Sequence, residues 1–265
     1  MSVTELRKAG SNRDESVERL AAETAAATRM LVDEEILDYS GHISTRIPGR
    51  DDAFMIQIGS DSRAELLPER ILIVDYDGKV LEGDGQPPSE VPLHIEILKA
   101  RPDINAVLHC HMDLAIAFTM MEGVKLIPMR SRAHRWRSGI PMHGDPSHIK
   151  LTEQAQSVAK ALGPHYAVLM RAHGLTLVAE SVQALLIDAI HFKENAKAQM
   201  QVLQAGAKPI PLSEAEIAQI DKHEMREWHI KKLWNYYMRK GISEEVLPHE
   251  WASKLIPTKE MLTRR

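Results

Sequence analysis

Two histidines separated by one residue are the part of this sequence whose spacing points most directly to chemistry. His109 and His111 follow residues 106–108, an apolar run that predicts a buried strand. Side chains two positions apart on a strand point to the same face of the sheet. Both imidazoles are therefore expected to leave the end of the strand side by side, close enough to share one metal ion.

A third histidine stands at the end of another apolar run. His173 follows residues 167–170 and directly precedes Gly174. Three neutral imidazoles that leave one coordination position open are typical of a catalytic divalent metal site, whereas structural sites use four protein ligands. We therefore predict that His109, His111 and His173 bind one catalytic metal ion.

The composition excludes several classes of partner. Of the 265 residues, 44% are apolar and 26% are charged, with a formal net charge of -4. Neither a nucleic acid nor an anionic membrane surface is therefore expected as the main partner. The longest apolar runs fall far short of the ~20 residues that span a membrane. The first sixteen residues lack the apolar core of a signal peptide.

Cys110 is the only cysteine of the chain, so no internal disulfide can form. This is compatible with a reducing cytoplasm, which is the predicted location. Because Cys110 stands between two predicted ligands, its side chain should point to the opposite face of the strand and pack as a small core residue.

The helices and strands that must position these residues are predicted from hydrophobic periodicity and turn signals. Residues 131–146 are predicted to be irregular. Elsewhere we predict helices over residues 15–35, 91–100, 114–121, 149–162, 181–203 and 213–239, and strands over residues 54–59, 71–75, 106–108, 124–129, 166–170 and 175–178.

The order of these elements predicts one α/β domain with a mixed or antiparallel sheet. Helices and strands do not alternate evenly, which disfavours a doubly wound parallel sheet. No internal repeat or linker is visible in the sequence. We predict a flexible N-terminal tail over residues 1–14, the single domain over residues 15–240 and a C-terminal extension over residues 241–265.

Several short motifs, taken in order, resemble those of the class II aldolase/adducin family. They are GHISTR at residues 41–46, VDYDGKV at 74–80, PSE at 88–90, RPDINAVLHCH at 101–111 and AHG at 172–174. The resemblance implies an αβα sandwich around a central, mostly antiparallel sheet. It also implies a homo-oligomer, a tetramer or a multiple of one, with active sites between neighbouring subunits.

By position, the resemblance makes His109, His111 and His173 the metal ligands and Glu90 the catalytic acid/base. A carboxylate at a helix start beside a divalent cation can exchange protons with a metal-bound substrate. The alternative for Glu90 is a glutamate in the first turn that only interacts with the helix dipole. The spacing of the histidines together with the family order favours the catalytic role.

The chain departs from the family members that cleave sugar phosphates. Those members share an Asn where this chain has His42, and a phosphate-binding Ser-Ser pair where this chain has Pro88 and Ser89. Asp61 lies in the turn that replaces their phosphate-binding turn, and its charge is expected to repel a phosphate. The chain resembles instead the branch with metal-dependent decarboxylases of hydroxylated aromatic acids. His42 and Ser89 are therefore expected to contact substrate, and His94 to support the site or pack in the core.

A dense group of cationic residues lies between residues 130 and 137. Arg130, Arg132 and Arg135 could hold the carboxylates of an aromatic diacid, because a guanidinium binds a carboxylate through two hydrogen bonds. A solvated basic loop or a subunit contact explains the same residues.

Near the C-terminus, the resemblance allows Tyr237 to line the pocket of a neighbouring subunit.

Our leading hypothesis is the non-oxidative decarboxylation of a hydroxylated aromatic or heteroaromatic acid. The substrate would chelate one divalent metal ion per subunit, and Glu90 or His42 would deliver a proton to the carbon that loses CO2. Zinc or manganese is expected, and iron or cobalt also suits three nitrogen ligands near a carboxylate.

Three alternatives remain open at this stage. An aldolase or epimerase would use the same metal on a non-phosphorylated hydroxy-keto substrate. An oxygenase would hold ferrous iron in the three-histidine site. A non-catalytic, adducin-like interaction module is disfavoured, because its metal site should be degraded, whereas the histidines and Glu90 are all present here.

Overall fold

An eight-stranded sheet forms the centre of the computed structural model, which describes residues 14–256. Its strand order is β4-β3-β2-β1-β5-β8-β7-β6, and every neighbouring pair is antiparallel except β6 and β7. The strands are β1 (His42–Arg46), β2 (Ala53–Gln57), β3 (Ile71–Asp75), β4 (Val80–Glu82), β5 (Ala106–Cys110), β6 (Met142–His143), β7 (Ala167–Met170) and β8 (Gly174–Ala179).

Helices cover both faces of this sheet. They are α1 (Glu15–Asp33), α2 (Val91–Ala100), α3 (Asp113–Thr119), α4 (Thr152–Leu162), α5 (Val182–Gln204), α6 (Glu214–Asp221), α7 (Arg226–Ser243) and α8 (Ala252–Leu255). Val107 of β5 packs with α2 and α4, whereas the next residue, Leu108, packs with α1, α5 and α7. This alternation of side chains gives two hydrophobic layers and an αβα sandwich. The predicted fold class is confirmed.

Two of the predicted elements are wrong. Residues 124–129 form no strand, because side chains of α5 bind their backbone: Gln199 accepts from the Ile127 N–H at 2.8 Å, and Asn195 accepts from the Met129 N–H at 2.9 Å. The helix predicted over residues 213–239 is two helices, α6 and α7, separated by residues 222–225. Residues 131–146, predicted to be irregular, contain a 3-10 helix and the short strand β6.

Both predicted ends of the chain are only partly described. Residues 1–13 of the predicted tail and residues 257–265 of the predicted extension lie outside the described residues. Trp251 and Leu255 of the extension are buried in the same cluster as α1, and the Trp234 indole N–H donates to the Leu255 carbonyl at 2.9 Å. No helix within residues 14–256 is long and apolar enough to cross a membrane.

The tight turn between β7 and β8 carries His173. Ala172 adopts a positive φ of 52°, and its N–H donates to the Thr119 hydroxyl of α3 at 2.9 Å. Gly174 lies so close to β5 that a Cβ added there would be 2.5 Å from the Cys110 carbonyl oxygen. A side chain at this position would push β8 away from β5. The predicted ligand His173 is therefore followed directly by the glycine that lets β8 approach β5. The strand β5 leads to the other two predicted ligands.

The Gly174→Ala substitution is expected to lower the free energy of unfolding by about 1–3 kcal/mol, because the added methyl group overpacks a backbone contact. Denaturant titration measures this loss. Gly144→Ala is the matched control, since no atom lies within 4 Å of a Cβ added at Gly144. Equal stability of the two variants would contradict the role assigned to Gly174.

Candidate metal centre

A row of polar side chains crosses three adjacent strands on the face covered by α2 and α4. His109 of β5 lies directly opposite His42 of β1 on one side and opposite Thr176 of β8 on the other. Directly paired residues of antiparallel strands share a face of the sheet. The Thr176 hydroxyl is 3.4 Å from Nδ1 of His109. The strand register therefore turns Nε2 of His109 away from Thr176.

The three predicted ligands converge at the end of this row. The ring centroid of His109 lies 4.9 Å from that of His111 and 5.0 Å from that of His173. The rings of His111 and His173 stack, with centroids 5.3 Å apart. Glu90 completes the group, in which one ligand atom from each residue lies within 4.8 Å of all the others. The structure thus brings together residues from β5, from the β7–β8 turn and from the start of α2.

The nitrogen atoms of this group fit a divalent cation. Within residues 14–256, Nε2 of His109 and both ring nitrogens of His173 are buried and have no hydrogen-bond partner. Leaving a buried polar atom unsatisfied costs about 1–3 kcal/mol. A bound cation would satisfy Nε2 of His109 and one ring nitrogen of His173, and three nitrogens beside one carboxylate suit zinc, manganese, iron or cobalt.

Asp38 fixes the orientation of His111. Its carboxylate oxygens lie 3.1 and 3.2 Å from Nδ1 of His111, and one of them accepts from the N–H groups of Ser40 at 3.0 Å and Gly41 at 2.8 Å. Burial raises the pKa of Asp38, but these backbone hydrogen bonds and the contact with His111 together outweigh it, and the pKa is lowered. A carboxylate behind a histidine ligand holds the ring in place and makes its other nitrogen a better donor. Sequence reasoning missed Asp38, although an Asp whose side chain accepts from N–H groups two and three residues later is typical of such turns.

The Glu90 carboxylate faces the histidines and not its own helix. It makes no capping hydrogen bond to α2. One oxygen accepts from the Ile149 N–H at 2.7 Å and lies 3.5 Å from Nε2 of His173, and the other lies 3.4 Å from Nε2 of His109. A purely helix-dipole role therefore does not describe this residue.

Glu90 is ionised at neutral pH. Burial raises its pKa, but the polar contact and electrostatic interaction with His109, the Ile149 N–H and the electrostatic interaction with His173 together lower the pKa to about 2. A buried carboxylate that stays charged needs such compensation. The ionised Glu90 carboxylate can therefore first accept a proton as a base and then donate that proton as an acid.

His42 belongs to a buried chain of hydrogen bonds. Its Nδ1 is 2.7 Å from Nε2 of His94, and Nδ1 of His94 is 2.6 Å from the Ser44 hydroxyl. Burial lowers the pKa of His42 well below its usual value and that of His94 to about 3, so both rings are neutral. Nε2 of His42 is 3.9 Å from Glu90. In the tautomers in which Ser44 donates to His94 and His94 donates to His42, an N–H of His42 would face this carboxylate.

A cavity of about 420 Å³ opens beside these residues. Ser89, predicted to bind substrate, lines it. The other lining residues are Ser40, His42, Gly59, Ser60, Arg63, Gln86, Pro87, Pro88, Glu90, His111, His148 and Lys150. A second cavity of about 660 Å³ shares His111 but includes neither Glu90 nor His42. The smaller cavity is therefore the one in which a bound molecule would meet the acid/base residues.

Two charged residues near this cavity are bound within the chain. The buried Arg63 guanidinium donates to the carbonyl oxygens of Gly41 at 2.9 Å and Gly59 at 2.8 Å, so it holds two loops together. Asp61 forms two hydrogen bonds with Arg70, at 2.6 and 3.0 Å, and does not line the cavity. The expectation that Asp61 repels a phosphate there is wrong, because its charge is paired elsewhere.

The structure does not bring the predicted substrate-binding arginines to the histidines within one chain. The Arg135 guanidinium lies 3.5 Å from the Tyr166 ring centroid and 3.0 Å from Glu180. Tyr166 precedes β7 and Glu180 follows β8, so Arg135 is at the opposite end of this hairpin from His173.

The remaining predicted substrate contacts also lie elsewhere. Arg130 pairs with Glu194 at 3.3 Å and Arg132 with Glu224 at 3.8 Å. Tyr237 contacts Tyr236 on α7, with ring centroids 5.1 Å apart. Contacts of these residues with the site of a neighbouring subunit stay predictions.

The chain is similar to known proteins over most of its length. The family model described as "Class II Aldolase and Adducin N-terminal domain" matches residues 22–200. A 3,4-dihydroxyphthalate decarboxylase of Arthrobacter keyseri is 32% identical over 211 residues, which cover 74% of this chain and 84% of the relative. A second enzyme of that name, from Rhodococcus jostii (strain RHA1), is 31% identical over 189 residues, covering 66% and 76%.

A solved structure supports the fold alone. The crystal structure of an aldolase II superfamily protein from Pseudomonas syringae matches with a TM-score of 0.75 at 21% identity. The match covers 89% of this chain and 96% of that one. The αβα architecture therefore extends over nearly all of both chains.

The His109→Ala variant is expected to lose its metal ion, because the central imidazole of the cluster is removed. Metal content after extensive dialysis against metal-free buffer, measured by mass spectrometry, checks this. His223→Ala is the control, since His223 is exposed on another part of the fold. Retention of one ion per subunit by His109→Ala would contradict the proposed ligand set.

A graded result is expected for Asp38→Asn. Removing the charge behind His111 should weaken metal affinity by about 10- to 100-fold and leave the ligands themselves in place. Competition with a chelator of known affinity measures the change. An affinity equal to that of the unsubstituted protein would show that Asp38 does not support the site.

Proposed function

The chain belongs to the class II aldolase and adducin family, and on this premise we propose that it is a metal-dependent, non-oxidative decarboxylase. Its substrate is a hydroxylated aromatic or heteroaromatic mono- or dicarboxylic acid. The observation that carries the proposal is the position of the buried Glu90 carboxylate, which contacts His109 and His173 and borders the cavity. Relatives named as decarboxylases, matched over most of their length, support it further.

His109, His111 and His173 would hold one divalent metal ion per subunit. Zinc or manganese is favoured, and iron or cobalt is compatible with the same donors. When bound, the ion supplies a Lewis acid that stabilises negative charge on a substrate oxygen. The unsatisfied nitrogens of His109 and His173 support this assignment.

Glu90 moves the proton that the reaction requires. As an ionised base, it accepts the proton of the substrate hydroxyl next to the reacting carboxylate. It then gives this proton to the ring carbon that carries the carboxylate. The bond from this carbon to the carboxylate breaks, CO2 leaves, and the electron pair of the bond restores the aromatic ring. The product oxygen finally takes a proton from water.

His42 orients the substrate beside Glu90. Its ring is fixed by the hydrogen bond to His94, which Ser44 holds in turn. The remaining N–H of His42 would donate to a substrate oxygen. The sugar-phosphate aldolases of the family share an Asn at the position of His42. Because His42 is neutral and buried, it would add a hydrogen bond to the substrate without adding a positive charge to that of the metal ion.

The assembly and the location belong to the same proposal. We expect a homo-oligomer, a tetramer or a multiple of one, with a neighbouring subunit close to each site. Tyr39 supports this expectation, because it is 87% exposed and next to Asp38 in the chain. A large exposed aromatic ring beside a functional site is a common feature of interfaces. The cytoplasm remains the predicted location.

A CO2-release screen tests the function. The metal-stripped protein is incubated with hydroxylated aromatic acids and with each divalent ion in turn, and CO2 release is expected only when a metal is present. Cleavage of hydroxy-keto acids without CO2 from aromatic acids would identify an aldolase or epimerase. Oxygen consumption with bound iron would identify an oxygenase. The absence of both metal binding and turnover would leave a non-catalytic module.

The Glu90→Gln variant is expected to keep its metal ion and to lose at least ~100-fold in turnover, the scale of a positioned acid/base. Steady-state CO2 release and metal content measured on the same sample check both parts. Glu96→Gln is the matched control, because Glu96 lies on the same helix and pairs with Lys99. Normal turnover by Glu90→Gln would rule out its assigned role.

A further inference from the structure

The segment 148–150 crosses the wall of the 420 Å³ cavity and is anchored by its central residue. The Ile149 N–H donates to Glu90, and the Ile149 side chain is fully buried in the cluster with α2 and α4. His148 and Lys150, on either side of this anchor, both line the cavity. The backbone contact with Glu90 thus sets the position of two basic residues at the site.

Lys150 differs from the arginine that lines the same cavity. Arg63 uses its guanidinium to bind backbone carbonyls. By contrast, the ammonium group of Lys150 forms no ion pair or hydrogen bond in the part of the chain that the structure describes. Only its backbone N–H is bound, to the Gln154 side chain and the His148 carbonyl. The ammonium group of Lys150 is therefore a positive charge at the cavity that an anion could bind.

The cavity wall offers neutral donors as well. Ser60 and Ser89 line the cavity with Lys150. The loops that carry these serines are held together, since the Gly59 N–H donates to the Gln86 carbonyl at 2.8 Å. A Cβ at Gly59 would lie 3.1 Å from the Pro87 carbonyl oxygen, so the loops approach closely. Serine hydroxyls beside an ammonium group form a suitable environment for a carboxylate.

We propose that Lys150, with Ser60 and Ser89, forms the subsite for a second carboxylate of the substrate. The inference rests on the proposed function and narrows it to aromatic diacids. The reacting carboxylate and its neighbouring hydroxyl face the histidines and Glu90, and the second carboxylate faces Lys150. This subsite replaces the distant arginines as the carboxylate-binding group within one chain.

Matched substrates and variants test the proposal. The diacid is 3,4-dihydroxyphthalate, after which two relatives are named, and 2,3-dihydroxybenzoate is the same ring without the second carboxylate. The ratio of kcat/KM for the diacid to kcat/KM for the monoacid is expected to fall about 10- to 100-fold in Lys150→Met, the effect of one lost charge-assisted hydrogen bond. The fall should come mainly from KM for the diacid. Lys150→Arg should recover most of the ratio, and Lys160→Met, on exposed α4 surface, should not change it.

Calorimetric binding to the metal-loaded protein separates this inference from the proposed function. Weaker binding of the diacid to Lys150→Met, with no CO2 released by any variant, would support the subsite and overturn the decarboxylase. An unchanged ratio with CO2 release, or equal losses on both substrates, would overturn the subsite alone. Lys150-dependent binding of dihydroxyacetone phosphate in place of the diacid would overturn the assignment to a carboxylate.

Discussion

The negative charge of Glu90, buried between a helix start and three histidines, is the constraint on which the rest of the site depends. A charged carboxylate removed from water is stable only where donors and positive charge surround it. The Ile149 N–H supplies one donor, and His109 and His173 supply the neighbouring polar contacts. The same carboxylate therefore holds the segment 148–150 in place and faces the cluster in which a cation would bind.

Much of the fold and part of the site could be predicted from the sequence, because they depend on neighbours in the chain. The spacing of His109 and His111 on a short strand indicates that both rings leave the same face. It also indicates that Cys110 points the other way, and the cysteine is fully buried, where burial raises the pKa of its thiol to about 12. The family motifs gave the mostly antiparallel sheet and its helical layers, both of which are confirmed.

The rest depends on contacts between residues far apart in the chain. Nothing local in the sequence pairs His42 with His94 or Asp38 with His111, because the register of β1 against β5 and the packing of α2 create these contacts. For the arginine-rich segment over residues 130–137, the sequence shows the charges but not the residues that pair with them. Its charge is obvious in the sequence, but the acidic partners that occupy it lie on other elements, such as Glu180 and Glu224. Within one chain these arginines are therefore paired away from the histidines, which their local charge density could not show.

The turn that carries His173 has a consequence for how fast an ion could come and go. Its backbone is held on one side by Thr119 and on the other by the close approach of Gly174 to Cys110. A ring on such a support can leave a bound ion only by rotating about its own side-chain bonds, and the His173 side chain is buried. Because a close-packed surrounding opposes this rotation, exchange of a bound ion with solvent should be slow.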